Sequence, residues 1–180
     1  MVKILVIGSG AREHAIIKSL NRSKKEKEIY CLASNNNPGI SDICKEMKIA
    51  DINNAQLIKD LSIKQNINIA IIGPEEPLAY GVADSLWEAG IGVIGPKKNL
   101  AQIETSKSFT RNLLREYKIP GCPKFKTFTN MEGVEDFLSL LGENYVVKYD
   151  GLAGGKGVKV AGDHLHSHEE ALSYCKELIE

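Results

Sequence analysis

The chain has 180 residues, enough for one large domain or a medium one plus a small one. It is 43% hydrophobic and 26% charged with a formal net charge of zero, which fits a soluble globular chain and argues against a non-specific nucleic-acid surface. Met-Val-Lys leads at once into a strand with no signal-peptide pattern, and no apolar run approaches a membrane span, so a cytoplasmic protein with no membrane partner is expected.

Val2 to Ile7, VKILVI, is an apolar run of strand length, ended by Gly8-Ser9-Gly10. Ala11 to Leu20 then reads as a helix with Ala15, Ile16 and Leu20 facing inward. Strand, glycine-rich turn and helix open a Rossmann-like α/β unit, and the helix N-terminus offers N–H groups that suit a phosphate. A dinucleotide fingerprint would need glycine where Glu13 stands, and an acid at the end of the second strand. That strand, Ile29 to Ala33, runs instead into Ser34-Asn35-Asn36-Asn37-Pro38-Gly39, so a nicotinamide cofactor is disfavoured. Arg12, Glu13 and His14 on the first helical turn suit a small phosphorylated, hydroxylated ligand; the alternative is that Arg12 and Glu13 are a solvated helix start.

Residues 38 to 51 read as irregular to helical, with a short strand near Ile49. A helix is expected over 54–65, with Leu57, Ile58 and Leu61 on one face. The apolar run Ile67 to Ile72 is a further strand, ended by Gly73-Pro74-Glu75-Glu76-Pro77. In an open parallel sheet, ligands bind outside the carboxyl ends of the strands, so residues 8–14, 34–39 and 73–76 should converge on one crevice. Glu75 there suits ribose hydroxyls or an amine, or serves only the turn beside two prolines. A helix over 78–89, with Trp87 as a packing residue, and a strand over 91–94 complete a doubly wound sheet of about 100 residues.

Ser106 to Tyr117 is the next helix; Phe109, Leu113 and Tyr117 form an i, i+4, i+8 stripe read as core, and Lys107 and Arg111 share another face, usually a solvated one. Ile119-Pro120-Gly121 marks a boundary. The expected division is a Rossmann-like domain over 1–100, a linker helix over 101–120 and a small α+β unit over 121–180. The last would hold a strand over 124–128, a helix over 131–141, strands over 145–149 and 158–161, and a helix from His168 capped by Ser167 and Glu170. His164, His166 and His168 read as surface residues rather than a metal clip. Cys31, Cys44, Cys122 and Cys175 form no CxxC pair and read as reduced, buried or half-buried thiols.

Asp150 to Gly157 holds Gly151, Gly154, Gly155, Gly157 and Lys156 between two β-branched runs. Such a loop brings backbone N–H groups and a mobile charge over a polyphosphate. It is not a Walker loop, since Lys156 is followed by glycine and then strand residues; it is a flap on an antiparallel hairpin, or else a plain mobile hairpin. Lys148, two residues before the loop on a half-buried strand, needs an anionic partner.

ILVIGSGAREHA, IIGPEEPLAYGVAD, IGPKKNLAQIETSKSFTR and VVKYDGLAGGKGV, in this order, closely resemble the glycinamide ribonucleotide synthetase family, the phosphoribosylamine–glycine ligases of purine synthesis within the ATP-grasp superfamily. The resemblance covers essentially the whole chain. It implies an N-terminal α/β domain followed by the α+β lid of an ATP-grasp fold. It also implies a chemistry in which ATP phosphorylates glycine and 5-phosphoribosylamine attacks the glycyl phosphate, giving the amide, ADP and phosphate. By resemblance, Gly10, Arg12, Glu13, His14, Gly73, Pro74 and Glu75 meet the amine substrate. Lys107, Lys148, Gly151, Gly154, Gly155, Lys156 and Gly157 meet ATP, the flap shielding the acyl phosphate from water. No catalytic residue is assigned. Family members are more than twice this length. Their Mg²⁺ or Mn²⁺ ligands, glycine site and adenine floor are expected beyond Glu180, in a missing C-terminal portion, so residues 1–180 alone are expected to be nearly inert. The turn at 34–39 departs from the family's usual one, and no single asparagine there is given a role. Two other classes stay open: a non-catalytic sugar-phosphate or nucleotide-binding module, and another ATP-grasp ligase such as a formate-using transformylase or a biotin carboxylase. The AREHA and GPEEPL segments argue against the latter.

Overall fold

Apolar runs long enough for one strand each, separated by amphipathic helices, leave a parallel sheet covered on both faces as the stable solution. The computed structural model, which describes residues 1–180, has that arrangement in the first of two units, Met1–Thr105 and Ser106–Glu180. Unit 1 contains β1 (Val2–Ile7), α1 (Ala11–Arg22), β2 (Lys27–Ala33), α2 (Pro38–Ser41), β3 (Glu46–Ile49), α3 (Ala55–Lys64), β4 (Ile69–Ile72), α4 (Glu76–Ala79), α5 (Val82–Glu88), β5 (Gly92–Ile94) and α6 (Lys98–Thr105). Its five parallel strands run in the order β3-β2-β1-β4-β5. The order reverses at β1, and Ile7 is in register with both Leu32 and Ile72, so the carboxyl ends of β1, β2 and β4 lie level.

Alternation along β1 divides the core. Leu5 and Ile7 pack with Leu32, Ile58, Ile72, Leu86 and Ala101 on one face, while Ile4 and Val6 pack with Ile17, Ile29, Cys31, Ile40 and Ile71 on the other. The inward face of α1 is Glu13 and Ile17, with Ile16 and Leu20 half-buried; Ala15, expected inside, is exposed. The helix expected over 78–89 is two, because Gly81 takes a left-handed conformation (φ 78°) between α4 and α5. The buried stripe of α5 is Val82, Ala83 and Leu86, which turns Trp87 outward at 45% exposure and corrects its reading as a packing residue.

Unit 2 contains α7 (Lys107–Glu116), α8 (Val134–Leu141), β6 (Val146–Lys148), β7 (Val158–Val160) and α9 (His168–Ile179). The connecting segment expected over 101–120 is divided between the units, its first residues lying in α6 of unit 1 and the rest with α7 in unit 2. β6 and β7 form an antiparallel pair, Val146 opposite Val160 and Lys148 opposite Val158. The core is Val134, Leu138, Tyr145, Leu165, Ala171 and Tyr174. Residues 124–128, expected as a strand, have no partner strand; Phe128 packs on Phe137 at 6.0 Å between ring centres, and Phe125 lies under the Arg115 guanidinium at 5.1 Å. The stripe on α7 is not core either: Phe109 and Leu113 are half-buried and Tyr117 is 67% exposed. At α9, Ser167 Oγ accepts the Glu170 N–H, whereas the Glu170 carboxylate takes the His166 N–H, one residue earlier than a capping box requires.

Candidate functional site

In unit 1 the three strand-end loops meet, as the topology requires. The Gly8 N–H donates to the Leu32 carbonyl at 2.8 Å and the Gly73 N–H to the Ile7 carbonyl at 3.0 Å, which places all three loops side by side. Asn37 Nδ2 donates to the Ser9 carbonyl at 2.9 Å, the Asn35 N–H donates to Ser9 Oγ at 3.3 Å, and the Ser9 and Ser34 hydroxyls are 3.3 Å apart. These polar ties were not legible in sequence, because nothing local marks which asparagine crosses to another loop.

Glu13 is the centre of the cluster. It is 3% exposed, and its Oε2 accepts the Gly10 N–H at 2.6 Å. The expectation of a solvated helix start is therefore half right. Glu13 is buried, while Arg12 reaches solvent and spans from Glu13 Oε1 at 3.6 Å to Glu75 Oε2 at 3.4 Å. The space Glu13 fills is left by two glycines. A Cβ on Gly73 would stand 2.6 Å from Glu13 Cγ and Cδ, and one on Gly8 would stand 2.9 Å from the same atoms and 2.8 Å from Pro74 Cδ. Gly8 also has φ 115°, which only glycine adopts without strain. His14 covers Gly39, where a Cβ would come 2.7 Å from its Nε2. Thus Gly10, Arg12, Glu13, His14, Gly73, Pro74 and Glu75 are brought together, with Asn37 and Ser9 as additional members.

The chemistry of this crevice is mixed. Ala11 and Arg12 open α1 on its exposed side, and helix geometry leaves their N–H groups without intrahelical acceptors. With the Arg12 guanidinium they can receive an anion. Glu75 and the buried Glu13 Oε1, which has no hydrogen-bond partner, are acceptors for hydroxyl or amine donors. The Arg12–Glu75 pair is exposed and contributes little by itself, so a ligand can replace it. Beneath the crevice the Cys31 thiol donates to the Gly8 carbonyl, and burial, with Cys44 and Glu13 nearby, pushes its pKa up to about 12.

Unit 2 carries the flap. Residues 150–157 join β6 to β7, and the Tyr149 N–H donates to the Gly157 carbonyl at 2.8 Å across its base. Gly154, Gly155 and Lys156 are exposed. Lys107 is half-buried, and its ammonium donates to the Gly151 carbonyl at 2.7 Å. Lys148 is exposed on β6 rather than half-buried, and no acidic side chain pairs with it. Asp150 was not singled out in the sequence. Its carboxylate accepts the Ser108 N–H at 3.1 Å, the Ser108 hydroxyl and the Ser106 hydroxyl at 3.3 Å. The available signal was Ser-x-Ser at a helix start, which leaves N–H groups for a carboxylate. No three His, Cys, Asp or Glu side chains stand together as an all-protein metal site would require. No helix is long and apolar enough to cross a membrane.

Comparison with known proteins follows the same division. Residues 2–104 match the N domain of phosphoribosylglycinamide synthetase, and residues 105–180 match the ATP-grasp (A) domain of the same synthetase. The chain is 45% identical over 179 residues to the phosphoribosylamine–glycine ligase of Methanosarcina barkeri, aligning 99% of this chain with 41% of that protein. It therefore spans about two fifths of the length of such relatives. Among solved structures, the fold resembles the biotin carboxylase domain of Hydrogenobacter thermophilus 2-oxoglutarate carboxylase, which was solved with MgADP, ADP and bicarbonate (TM-score 0.76, 17% identity, 98% of this chain and 40% of that one). It also resembles the phosphoribosylglycinamide synthetase of Anaerococcus prevotii (TM-score 0.61, 16% identity, 98% and 42%). With more than half its length matched by the N-domain family and the remainder by the adjoining domain, the chain belongs to the phosphoribosylglycinamide synthetase family.

Proposed function

We propose that this chain supplies the amine-substrate crevice and the ATP-covering lid for the ligation of glycine to 5-phosphoribosylamine. The reaction would consume ATP and proceed through a glycyl phosphate. The observation that carries the reading is the ordered match of both consecutive synthetase domains, over residues 2–104 and 105–180. The geometry supports a division of labour. The sugar's phosphate is received by the opening turn of α1 and Arg12, and its hydroxyls or amine by Glu75 and Glu13 Oε1. Lys107, Lys148 and Lys156 neutralise ATP phosphates, and the backbone of Gly151, Gly154, Gly155 and Gly157 closes over them. Magnesium or manganese would accompany ATP in the reaction and neutralise the transferring phosphoryl group. A cytoplasmic setting accords with four free thiols.

The test is a chimera of the Methanosarcina barkeri ligase in which this chain replaces the aligned 179 residues. ADP release is measured with glycine and 5-phosphoribosylamine together and with each omitted. Release that needs both, and that falls at least about tenfold in Lys148→Ala, supports the proposal. A folded chimera that releases ADP without regard to 5-phosphoribosylamine overturns it.

A further inference from the structure

The ATP reading gives Lys107 to a phosphate, yet its ammonium is already engaged by the Gly151 carbonyl at 2.7 Å. One residue earlier, Asp150 sits on the N-terminus of α7. It takes the Ser108 N–H at 3.1 Å, the Ser108 hydroxyl and the Ser106 hydroxyl at 3.3 Å, while Ser106 Oγ also caps the helix by accepting the Phe109 N–H at 3.2 Å. Two consecutive flap residues are therefore fastened to consecutive residues of one helix turn, by opposite charges. The carboxylate is placed where the helix dipole and the free N–H groups favour an anion. The ammonium is placed on a neutral carbonyl, a weaker partner than a phosphate oxygen. Gly151 lies at φ 153°, a conformation that favours glycine, so the carbonyl is presented to Lys107 by a backbone turn that few other residues could make.

We infer that Asp150 is a positioning residue. With Ser106 and Ser108 it latches the start of the flap to the N-terminus of α7, and the latch holds Lys107 on the Gly151 carbonyl until a polyphosphate takes that lysine over. The inference rests on the ATP reading for its second half only; the latch itself is independent of any ligand. Residues 150–151 are its fixed end, and the exposed Gly154–Lys156 segment is the part that swings. A purely structural cap would support α7 and leave the flap indifferent.

The experiment is hydrogen–deuterium exchange on the chimeric Methanosarcina barkeri ligase that carries this chain, with and without MgATP, resolved to peptides covering 150–157 and 107–116. The proteins are wild type, Asp150→Asn, the milder Ser108→Ala, and Lys107→Met. Circular dichroism checks that each is folded. Asp150→Asn and Ser108→Ala should each speed exchange over 150–157 by about tenfold, the loss expected for one charge-assisted hydrogen bond. MgATP should change flap exchange in wild type but not in Lys107→Met. If both carboxylate-site variants leave 150–157 unchanged and only 107–116 exchanges faster, Asp150 is an ordinary helix cap and the inference is overturned. If both variants speed the flap but MgATP alters nothing, the latch stands and the assignment of Lys107 to ATP fails.

Discussion

Replacing Gly73 with alanine would drive a methyl group into the buried carboxyl of Glu13. The new Cβ would stand 2.6 Å from Glu13 Cγ and Cδ and nearer still to Oε1, whereas real Cβ contacts essentially never fall under 3.0 Å. Glu13 has little room to yield, because its Oε2 is held by the Gly10 N–H at 2.6 Å and the residue is 3% exposed. Either the carboxyl stays and the site is overpacked, at about 1–3 kcal/mol, or it is expelled and the charge-assisted bond to Gly10 is lost, at about 1.5–3 kcal/mol. These are alternatives and do not add; the cheaper one sets the loss, about 1–3 kcal/mol. For a unit of this size that lowers the Tm by roughly 5–20 °C. Thermal and urea unfolding of Gly73→Ala should show it. In a Glu13→Ala background the same substitution should cost less than about 0.5 kcal/mol, a coupling of about 0.5 kcal/mol or more. Equal cost in both backgrounds would refute the claim that Glu13 fills the space left by Gly73.

Other expectations follow from burial and charge. Ile17→Ala empties a fully buried site and should cost about 2–5 kcal/mol in urea unfolding, whereas Tyr117→Ala, at a 67% exposed position, should stay within about 0.5 kcal/mol. Burial pushes Cys31 up to about 12 and Cys44 to about 11, above the ordinary 9.0. Unfolded thiols ionise first, so stability should be full below about pH 8.5 and fall as pH rises toward the folded values; a Cys31→Ala, Cys44→Ala chain should fall less between pH 8 and pH 10. Burial also pushes Asp150 up, but the hydrogen bonds from Ser108, the Lys107 N–H and Ser106 outweigh it, leaving the carboxyl below its ordinary 3.8. Its contribution is present above about pH 4 and lost as pH falls through the lowered value. Acid should therefore lower the protection of 150–157, measured against intrinsic exchange rates at each pH, more in wild type than in Asp150→Asn. In an assay with all three substrates, residues 1–180 alone should release ADP only at background, since they span about two fifths of the ligases they match.

The parallel sheet was legible because both of its faces are covered, which makes VKILVI and IAII near-continuous apolar runs that no amphipathic helix would show. The convergence of the strand-end loops followed from topology alone. What joins them did not, because the partners of Glu13 and Ser9 lie up to 60 residues away in sequence and are set by packing. Burial of a carboxylate on the first turn of α1 runs against local expectation, and it is reconciled only by absent side chains at Gly8 and Gly73. Helical spacing misjudged Trp87 and Tyr117, since a stripe says which residues share a face and not whether anything covers it. The segment 124–128 has strand composition but no neighbouring strand to complete a ladder. Asp150 escaped notice beside four glycines because its role lies in a helix start more than forty residues earlier.

The central claim, that the loops ending β1, β2 and β4 form a sugar-phosphate crevice, is tested most directly by calorimetric titration of this chain with ribose 5-phosphate, in parallel with NAD. Ribose 5-phosphate stands in for the unstable amine. The account predicts saturable binding of ribose 5-phosphate, weakened at least about tenfold by Arg12→Ala and by Glu75→Ala, and no binding of NAD. Binding of NAD without binding of ribose 5-phosphate would contradict it.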